Sequence, residues 1–538
     1  MVKQQLESDL KKAVLDLGYK IDDIVCDIPQ NSSFGDYTSN IALQLSKLKS
    51  ENGKQTPQVI AKEIIEKLGK LDYLDKTEVA GPGFINFFIK GESLAKQVSE
   101  ILEKGEGFGK GGKKDNKIID VEFISANPTG PLTLANGRGG AIGDTLANVL
   151  SFLGYQVHRE YYVNDTGNQV RLLGEATLAA AGKVESKEEH YKGEYIKDLA
   201  KKFSDKLDLD PQQLGHLLAD HLLDNEIKPA ISRLGISFDE YYSERSVYER
   251  GLIEKTADIL KKKGVAYEKD GALWFKSTEF GDEKDRALIT SIQGGRGKEE
   301  PTYFMADIAH HEEVLSRGYF KKINILGADH FGYADRIKGA ADALGFKGKV
   351  DIIFMQFVRL FKGGTEVRMS KRAGTFVTLD ELLEQVSKDV ARFFFLMYSP
   401  DTHIDFNLDL AKEQSNKNPV FYVQYAHVRM ANILTKAETK FDKPNLDLLT
   451  TTAELELIKY LTGFPELILE IGDSYSVHKL TTYSARLADL FHKFYESCRV
   501  LNAETEDLKV ARLALVKACK IVLGNSLNIM GIEAPERM

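Results

Sequence analysis

The stretch IIDVEFISANPTGPLTLANGRGGAIGDTLANVLSFLGYQVHREYYV, Ile118 to Val163, decides the fold. Its opening IIDVEFISA is rich in β-branched and aromatic residues and predicts a strand, whereas NPTGPLTLANG is turn-forming. RGGAIGDTLANVLSFL carries apolar residues at helical spacing, Gly154 ends that helix, and YQVHREYYV is again strand-like. Strand, loop, helix and strand in this order make a βαβ unit, with both strands parallel in one sheet. A second unit runs through INILGADHF (Ile323 to Phe331), the helical GYADRIKGAADALGF and the apolar strand VDIIFMQFVRL (Val350 to Leu360). A long helical insertion, about 170–295, is expected between the two units.

Outward from this core, FGDYTSNIALQLSK (Phe34 to Lys47) and VAGPGFINFFI (Val79 to Ile89) mark a small α+β domain. The Gly- and Lys-rich KGEGFGKGGKKDNK (Lys104 to Lys117) predicts a linker or mobile connection after it. Beyond about Glu413, VFYVQYAHVRMANILTKA, YSARLADLFHKFYESCRVL and LKVARLALVKACKIVLGNSL have helical periodicity with few turn signals, as in an all-α bundle. The expected organisation is multi-domain α/β. It comprises 1–113 with the linker, a Rossmann-type parallel-sheet domain over 114–412 that holds the insertion, and a helical domain over 413–538.

A chain of 538 residues exceeds one ordinary core, so several structural units are expected. With 43% hydrophobic and 28% charged residues and short apolar runs, it reads as globular, without a membrane span. Met1 to Tyr19 intersperses Glu7, Asp9 and Asp16 among periodic Leu and Val, which suits an amphipathic helix better than a signal peptide, so a cytoplasmic location is expected. Cys26, Cys498 and Cys519 are too far apart for a CxxC zinc pair and too few for a disulfide framework, so no structural zinc is expected. The net charge of -8 argues against an overall basic coat but leaves room for a local RNA-binding face.

Two loops carry the chemistry. In NPTGPLTLANGRGGAIGD (Asn127 to Asp144) a Pro/Gly turn opens a helix whose first backbone amides face outward, an arrangement that binds phosphate; taken alone, it is as readily an ordinary turn. In FKGGTEVRMSKRAGTFVTLDEL (Phe361 to Leu382) a Gly-Gly hairpin precedes a basic cluster, so Arg368 and Lys371 on a mobile loop could close over a triphosphate. The plain alternative there is an exposed basic turn before a helix capped by Thr378 and Glu381.

Together and in this order, the loops resemble the HIGH and KMSKS signatures of class I aminoacyl-tRNA synthetases. VEFISANPTGPL, EYYVNDTGNQV, YFMADIAHH, INILGADHFGY, RMSKRAGTFVTLDEL, ARFFFLMYSPDTHIDF, NPVFYVQYAHVR and GIEAPERM extend the resemblance to arginyl-tRNA synthetases over nearly the whole chain. The resemblance implies formation of arginyl-adenylate from L-arginine and ATP, with Mg²⁺ carried on the nucleotide, then acyl transfer to the terminal adenosine of tRNA-Arg. It also implies arginine activation that requires bound tRNA, and a monomer. Thr133, Asn136, Arg368 and Lys371 take the catalytic positions, and Pro128, Ala135, Gly137, Met369 and Ser370 those that hold ATP. Glu122, Asn127, Tyr303 and Asp307 match the arginine positions, with Asp307 paired to the guanidinium and Asp329 or His330 completing the pocket. Asn86 in the first domain, and Gln424, Tyr425, His427 and Arg429 within a turn or two of one helix, are the candidate tRNA contacts.

The chain departs from the family at the HIGH signature, which reads Thr133, Leu134, Ala135, Asn136. Thr133 and Asn136 retain hydrogen-bonding groups, while the Ala135 methyl stands where glycine admits adenine. A weaker Michaelis constant for ATP is expected, not inactivity. The competing readings are a class I synthetase of other specificity, a tRNA-binding paralogue weakened or inactive in catalysis, and a nucleotidylyltransferase built on the same crossover.

Overall fold

A computed structural model describes residues 2–27, 29, 34–47, 55–290, 300–367, 377–437 and 444–538, and for 329–331 the backbone alone. Ile118–Glu122 is buried along almost its whole length, as a strand with neighbours on both edges and helices on both faces must be. It is the middle of a five-stranded sheet in the order Val350–Met355, Lys321–Gly327, Ile118–Glu122, Gln156–Val163, Glu240–Ser243. All four pairings are parallel. The chain winds to one side through the second and third strands and returns to the other side for the last two. A crevice therefore opens at the carboxyl edge beside the first strand.

The stretch expected as one helical insertion is two excursions, because Glu240–Ser243 returns to the sheet as its third strand. The first excursion is helical, with Gly167–Ala180, Glu194–Lys202 and Pro211–Leu222 around a small core of Leu173, Leu178, Leu199, Leu214 and Leu218. The second adds a four-stranded antiparallel sheet, Glu300–Pro301, Arg286–Thr290, Ala272–Phe275, Ala266–Lys269. Its Leu273, Phe275 and Leu288 share a core with the helix Tyr303–Ser316. Strands of two to five residues are too short to establish a period of two, so periodicity alone favours a helical reading there.

The expected mobile linker is a packed strap. Phe108 is buried, the Gly111 amide donates to the Phe152 carbonyl, and the Lys114 amide donates to that of Gly154. A Cβ at Gly111 would lie 2.4 Å from the Leu153 carbonyl oxygen, so close approach of two backbones selects this glycine.

In the first domain the sheet order is Tyr37–Ser39, Phe84–Ile89, Leu74–Ala80, antiparallel throughout. It rests on the C-terminal bundle through Lys3 with Glu466, 2.7 Å, and Lys459 with Asp36. The bundle contains Pro419–Lys436, Thr452–Thr462, Phe464–Ser474, Lys479–Ser497 and Glu506–Ile529. The end of its last helix meets the catalytic domain: Asn148 donates to the Ile529 carbonyl at 3.0 Å, and Arg392 donates to that of Met530 at 2.7 Å. Arg392 also holds Asp144 at 2.6 Å. Among the described residues, no helix is long and apolar enough to cross a membrane.

Candidate active site

The site begins where the first strand ends. Ile124 and Ser125 take φ of 67° and 39°, a left-handed turn that costs a β-branched residue energy and that its surroundings must enforce. The second strand does so: the Tyr162 amide donates to Ser125 Oγ at 3.1 Å, and the Tyr161 hydroxyl donates to the Ala126 carbonyl at 2.8 Å. Ser125 Oγ in turn donates to Glu122 Oε1 at 3.1 Å and orients that carboxylate.

The next helix spans Leu134–Phe152 and starts four residues earlier than the reading from RGG implied. Thr133 is its N-cap and closes a capping box with Asn136. The Thr133 amide and hydroxyl both donate to Asn136 Oδ1, at 2.9 and 2.8 Å, and the Asn136 amide donates to Thr133 Oγ1 at 3.5 Å. The two residues at the histidine positions thus brace each other. Asn136 Nδ2 makes no hydrogen bond among the described residues. Ala135 lies half-buried in the first turn, and Pro128 is buried in the loop before it. Gly137 serves packing: a Cβ there would meet Leu379 at 2.7 Å and Phe395 at 3.0 Å.

Leu379 brings the second loop to the first. Its amide donates to the Leu132 carbonyl at 2.8 Å, and Thr133 and Thr378 form an antiparallel bridge. The hairpin Val358–Lys362 and Thr365–Val367 precedes the basic cluster, and the Thr378–Glu381 capping box follows it. Arg368, Met369, Ser370 and Lys371 themselves lie outside the described residues.

Across the crevice, exposed Tyr303 opens a helix capped by Thr302, and its hydroxyl lies beside Gly167, 3.3 Å from where a Cβ there would stand. One turn on, Asp307 accepts from the Tyr333 hydroxyl. Beside it stands a carboxyl that sequence reasoning does not find. Glu244, 1% exposed, has Oε2 without a hydrogen-bond partner, and burial, then Asp307 and Asp165, push its pKa up to about 8. Tyr162, Tyr248 and Tyr333 each sense these carboxyls. Two carboxyls among tyrosines suit a guanidinium, which takes carboxylates at its edge and aromatic rings on its face. Glu244 follows the unforeseen third strand, and only Ser243 beside it, the helix N-cap, gives a local signal. Asn127 Nδ2 donates to Gln169 Oε1. Asp329 and His330 stand in the turn Ala328–Tyr333 at the same sheet edge, with their side chains outside the description.

Beneath the pocket, fully buried Lys322 reaches Asp120 at 2.6 Å, Glu160 at 2.7 Å and Glu122 at 3.0 Å. Burial would lower its pKa, but Asp120, Glu160 and Glu122 outweigh that and hold the ammonium well above its usual range. His310 bonds Glu160 at 2.8 Å. Asp120, His158 and Glu160, and likewise Glu122, Glu160 and His310, have the spacing of metal ligands, yet the Lys322 ammonium already supplies a cation among them. His311, held neutral by burial and by nearby His310 and Lys322, donates from Nδ1 to the Asp307 carbonyl at 2.8 Å and accepts from Asn324 at 2.9 Å.

Of the candidate RNA contacts, the structure turns Asn86 and His427 inward and leaves Gln424 half-buried. Asn86 is buried and accepts from Thr38 Oγ1 at 2.8 Å; His427 is buried and donates to the Pro535 carbonyl at 2.8 Å. Gln424 donates to Asp389 and to the Glu533 carbonyl. These three hold the fold together. Tyr425 is exposed and stacked with Phe421, and the Arg429 guanidinium lies 4.7 Å from the Tyr495 ring centre.

A parallel sheet in this order, with one signature loop at its switch point and the flank of the second bridged to it, defines a class I aminoacyl-tRNA synthetase catalytic domain. Comparisons with known proteins agree. Residues 97–394 match the family described as "tRNA synthetases class I (R), catalytic domain", 1–89 match "Arginyl tRNA synthetase N terminal domain", and 423–538 match "DALR anticodon binding domain". The arginine–tRNA ligase of Desulforamulus reducens is 42% identical, covering 96% of this chain and 94% of its own. That of Bacillus subtilis is 40% identical over 100% and 99%. The solved Thermus thermophilus arginyl-tRNA synthetase, 22% identical, shares the fold over 100% of both chains with a TM-score of 0.82. The chain belongs to the arginyl-tRNA synthetase family.

Proposed function

We propose that this chain joins L-arginine to tRNA-Arg at the expense of ATP, and that Asp307 and Glu244 make it specific for arginine. The observation that carries this reading is the buried Glu244 carboxyl, with Oε2 unpartnered, under the electrostatic influence of Asp307 and itself felt by Tyr162, Tyr248 and Tyr333. A guanidinium there satisfies both carboxyls, and Glu122, held by Ser125 and Lys322, meets the substrate's ammonium. Asn127 and Tyr303 fix the body of the amino acid, and Asp329 or His330 closes the pocket.

The arginine carboxylate then attacks the α-phosphate of ATP. The bond to the bridging oxygen breaks and diphosphate leaves. Asn136 Nδ2 and the first backbone amides of Leu134–Phe152 receive the phosphates, with Pro128, Ala135 and Gly137 shaping the nucleotide seat. Arg368 and Lys371, on the loop with Met369 and Ser370, neutralise the charge that develops on the leaving diphosphate. Mg²⁺ enters with ATP, held by phosphates and water. In the second step a hydroxyl of the tRNA's terminal adenosine attacks the acyl carbon and AMP leaves. Tyr425 and Arg429 offer stacking and charge to an unstacked anticodon. The enzyme acts in the cytoplasm as a monomer and needs tRNA for arginine activation.

Charging of total tRNA with each labelled amino acid in turn tests the reading. Arginine alone should be incorporated, and Lys371→Ala should slow that incorporation by a factor on the order of 100. Tight tRNA binding without charging would instead identify a catalytically inactive paralogue.

A further inference from the structure

The loop Asn127 to Leu132 contains two prolines, which lack amide donors, and its one local bond joins the Thr129 amide to the Asn127 carbonyl at 2.7 Å. Such a segment has little of its own to fix its path, and the carbonyl of buried Thr129 needs a donor from elsewhere. That donor comes from the helical excursion: the Tyr195 hydroxyl donates to Thr129 O at 3.0 Å. The Tyr195 ring occupies the space that a side chain at Gly130 would enter, with ring atoms 3.2 Å from a Cβ there. Gln169, on the same excursion, accepts from the Asn127 side-chain amide. Two residues of a unit with its own core therefore grip neighbouring parts of the loop that leads into the phosphate-facing helix.

We propose that Tyr195 is a positioning residue for the nucleotide: the excursion clasps the Asn127–Gly130 loop through it and sets the path of the backbone that receives ATP. This rests on the reading of that loop as the ATP seat, and not on arginine as the amino acid. Tyr195 touches no substrate; it acts through Thr129 and Gly130. A residue that merely filled space would matter through its ring alone, whereas a clasp depends on the hydroxyl.

Tyr195→Phe keeps the ring and removes the bond, so it is the decisive variant. The full-length protein would be followed by amide hydrogen exchange, by equilibrium dialysis with labelled ATP and by aminoacylation kinetics. Because Asn127 keeps its own bond to Gln169, faster exchange confined to 129–137 is expected, with ATP dissociation constant and KM raised about fivefold, arginine KM changed by less than about twofold, and kcat at saturating ATP retained. Unchanged loop exchange, unchanged ATP affinity, or faster exchange throughout the excursion with a lowered Tm would each overturn the proposal. Dialysis requires no arginine, so a protein that binds ATP without charging arginine defeats the functional reading while the role of Tyr195 is still decided by its ATP affinity. Absence of ATP binding in the unsubstituted protein defeats both.

Discussion

Glu244→Gln removes one of the two carboxyls in the proposed arginine pocket while preserving its shape, and the raised pKa of Glu244 sets how the effect should vary with pH. Before arginine binds, burial and the neighbouring Asp307 and Asp165 disfavour the carboxylate and bring its pKa to about 8. Guanidinium binding needs the ionised form, so arginine must expel a proton below that pH, and affinity must rise with pH and level off above 8. The ionised fraction is roughly one half at pH 8 and one tenth at pH 7, so arginine affinity should fall about fivefold between them and approach tenfold per unit lower down. A charge-assisted hydrogen bond contributes about 1.5–3 kcal/mol, which makes Glu244→Gln roughly 10- to 150-fold weaker for arginine above pH 8. At pH 7 the cost of ionising Glu244, about 1.4 kcal/mol, offsets roughly tenfold of that difference. Calorimetric titration of arginine in two buffers of different ionisation enthalpy counts the protons released. Close to one should leave the parent protein at pH 7 and close to none the Gln variant. A flat parent profile from pH 7 to 8, or a slope retained in Glu244→Gln, would refute the assignment.

Asp307→Ala should raise the arginine KM at least tenfold with little change in the ATP KM, since it removes one of the two carboxyls offered to the guanidinium; equal shifts in both constants would contradict this. Lys371→Ala should cut kcat by a factor on the order of 100 with arginine affinity preserved, read by single-turnover charging, and unchanged turnover would remove the lysine from the scheme. Ala135→Gly should lower the ATP KM while costing about 0.5–1 kcal/mol of stability in the helix's first turn; an unchanged KM would mean that the seat has formed around the methyl group. Arg429→Ala should weaken tRNA binding at unchanged Tm, whereas His427→Ala should lower Tm because it releases the Pro535 carbonyl; the reverse pattern, by filter binding and calorimetry, would exchange their roles.

The parts of the fold legible in sequence are those in which one physical requirement repeats. Ile118–Glu122 and Lys321–Gly327 are covered on both faces, and their β-branched residues Ile118, Ile119, Val121, Ile323 and Ile325 mark them as strands although Asp120, Glu122 and Lys322 interrupt the apolar run; the turn-forming residues that follow each strand then announce the crossover helix. Glu240–Ser243 is hidden because four residues establish no period, and Glu244 is hidden with it. The Thr133–Asn136 box is in principle readable, as Thr followed three residues later by an amide, but the signature points to the phosphates these residues face and away from the bond between them. Asn86, Gln424 and His427 show a different limit. Helical or strand spacing says which residues share a face, while whether water or protein covers it depends on segments far away, here Thr38, Asp389 and Pro535.

The joint at Arg392 bears on how the molecule assembles. Its bond to the Met530 carbonyl spans 138 residues of chain, and through Asp144 it reaches the signature helix 248 residues away. Contacts of such separation form late, after the entropy of closing long loops has been overcome. The catalytic sheet can assemble from its own crossovers, but the helix Leu134–Phe152 gains its bond from Asn148 to the Ile529 carbonyl only when the end of Glu506–Ile529 arrives. Catalytic competence should therefore appear in refolding after the sheet's secondary structure, in step with the docking of the bundle. A catalytic fragment cut at the sequence boundary would retain the sheet but leave a buried arginine without one of its carbonyl acceptors.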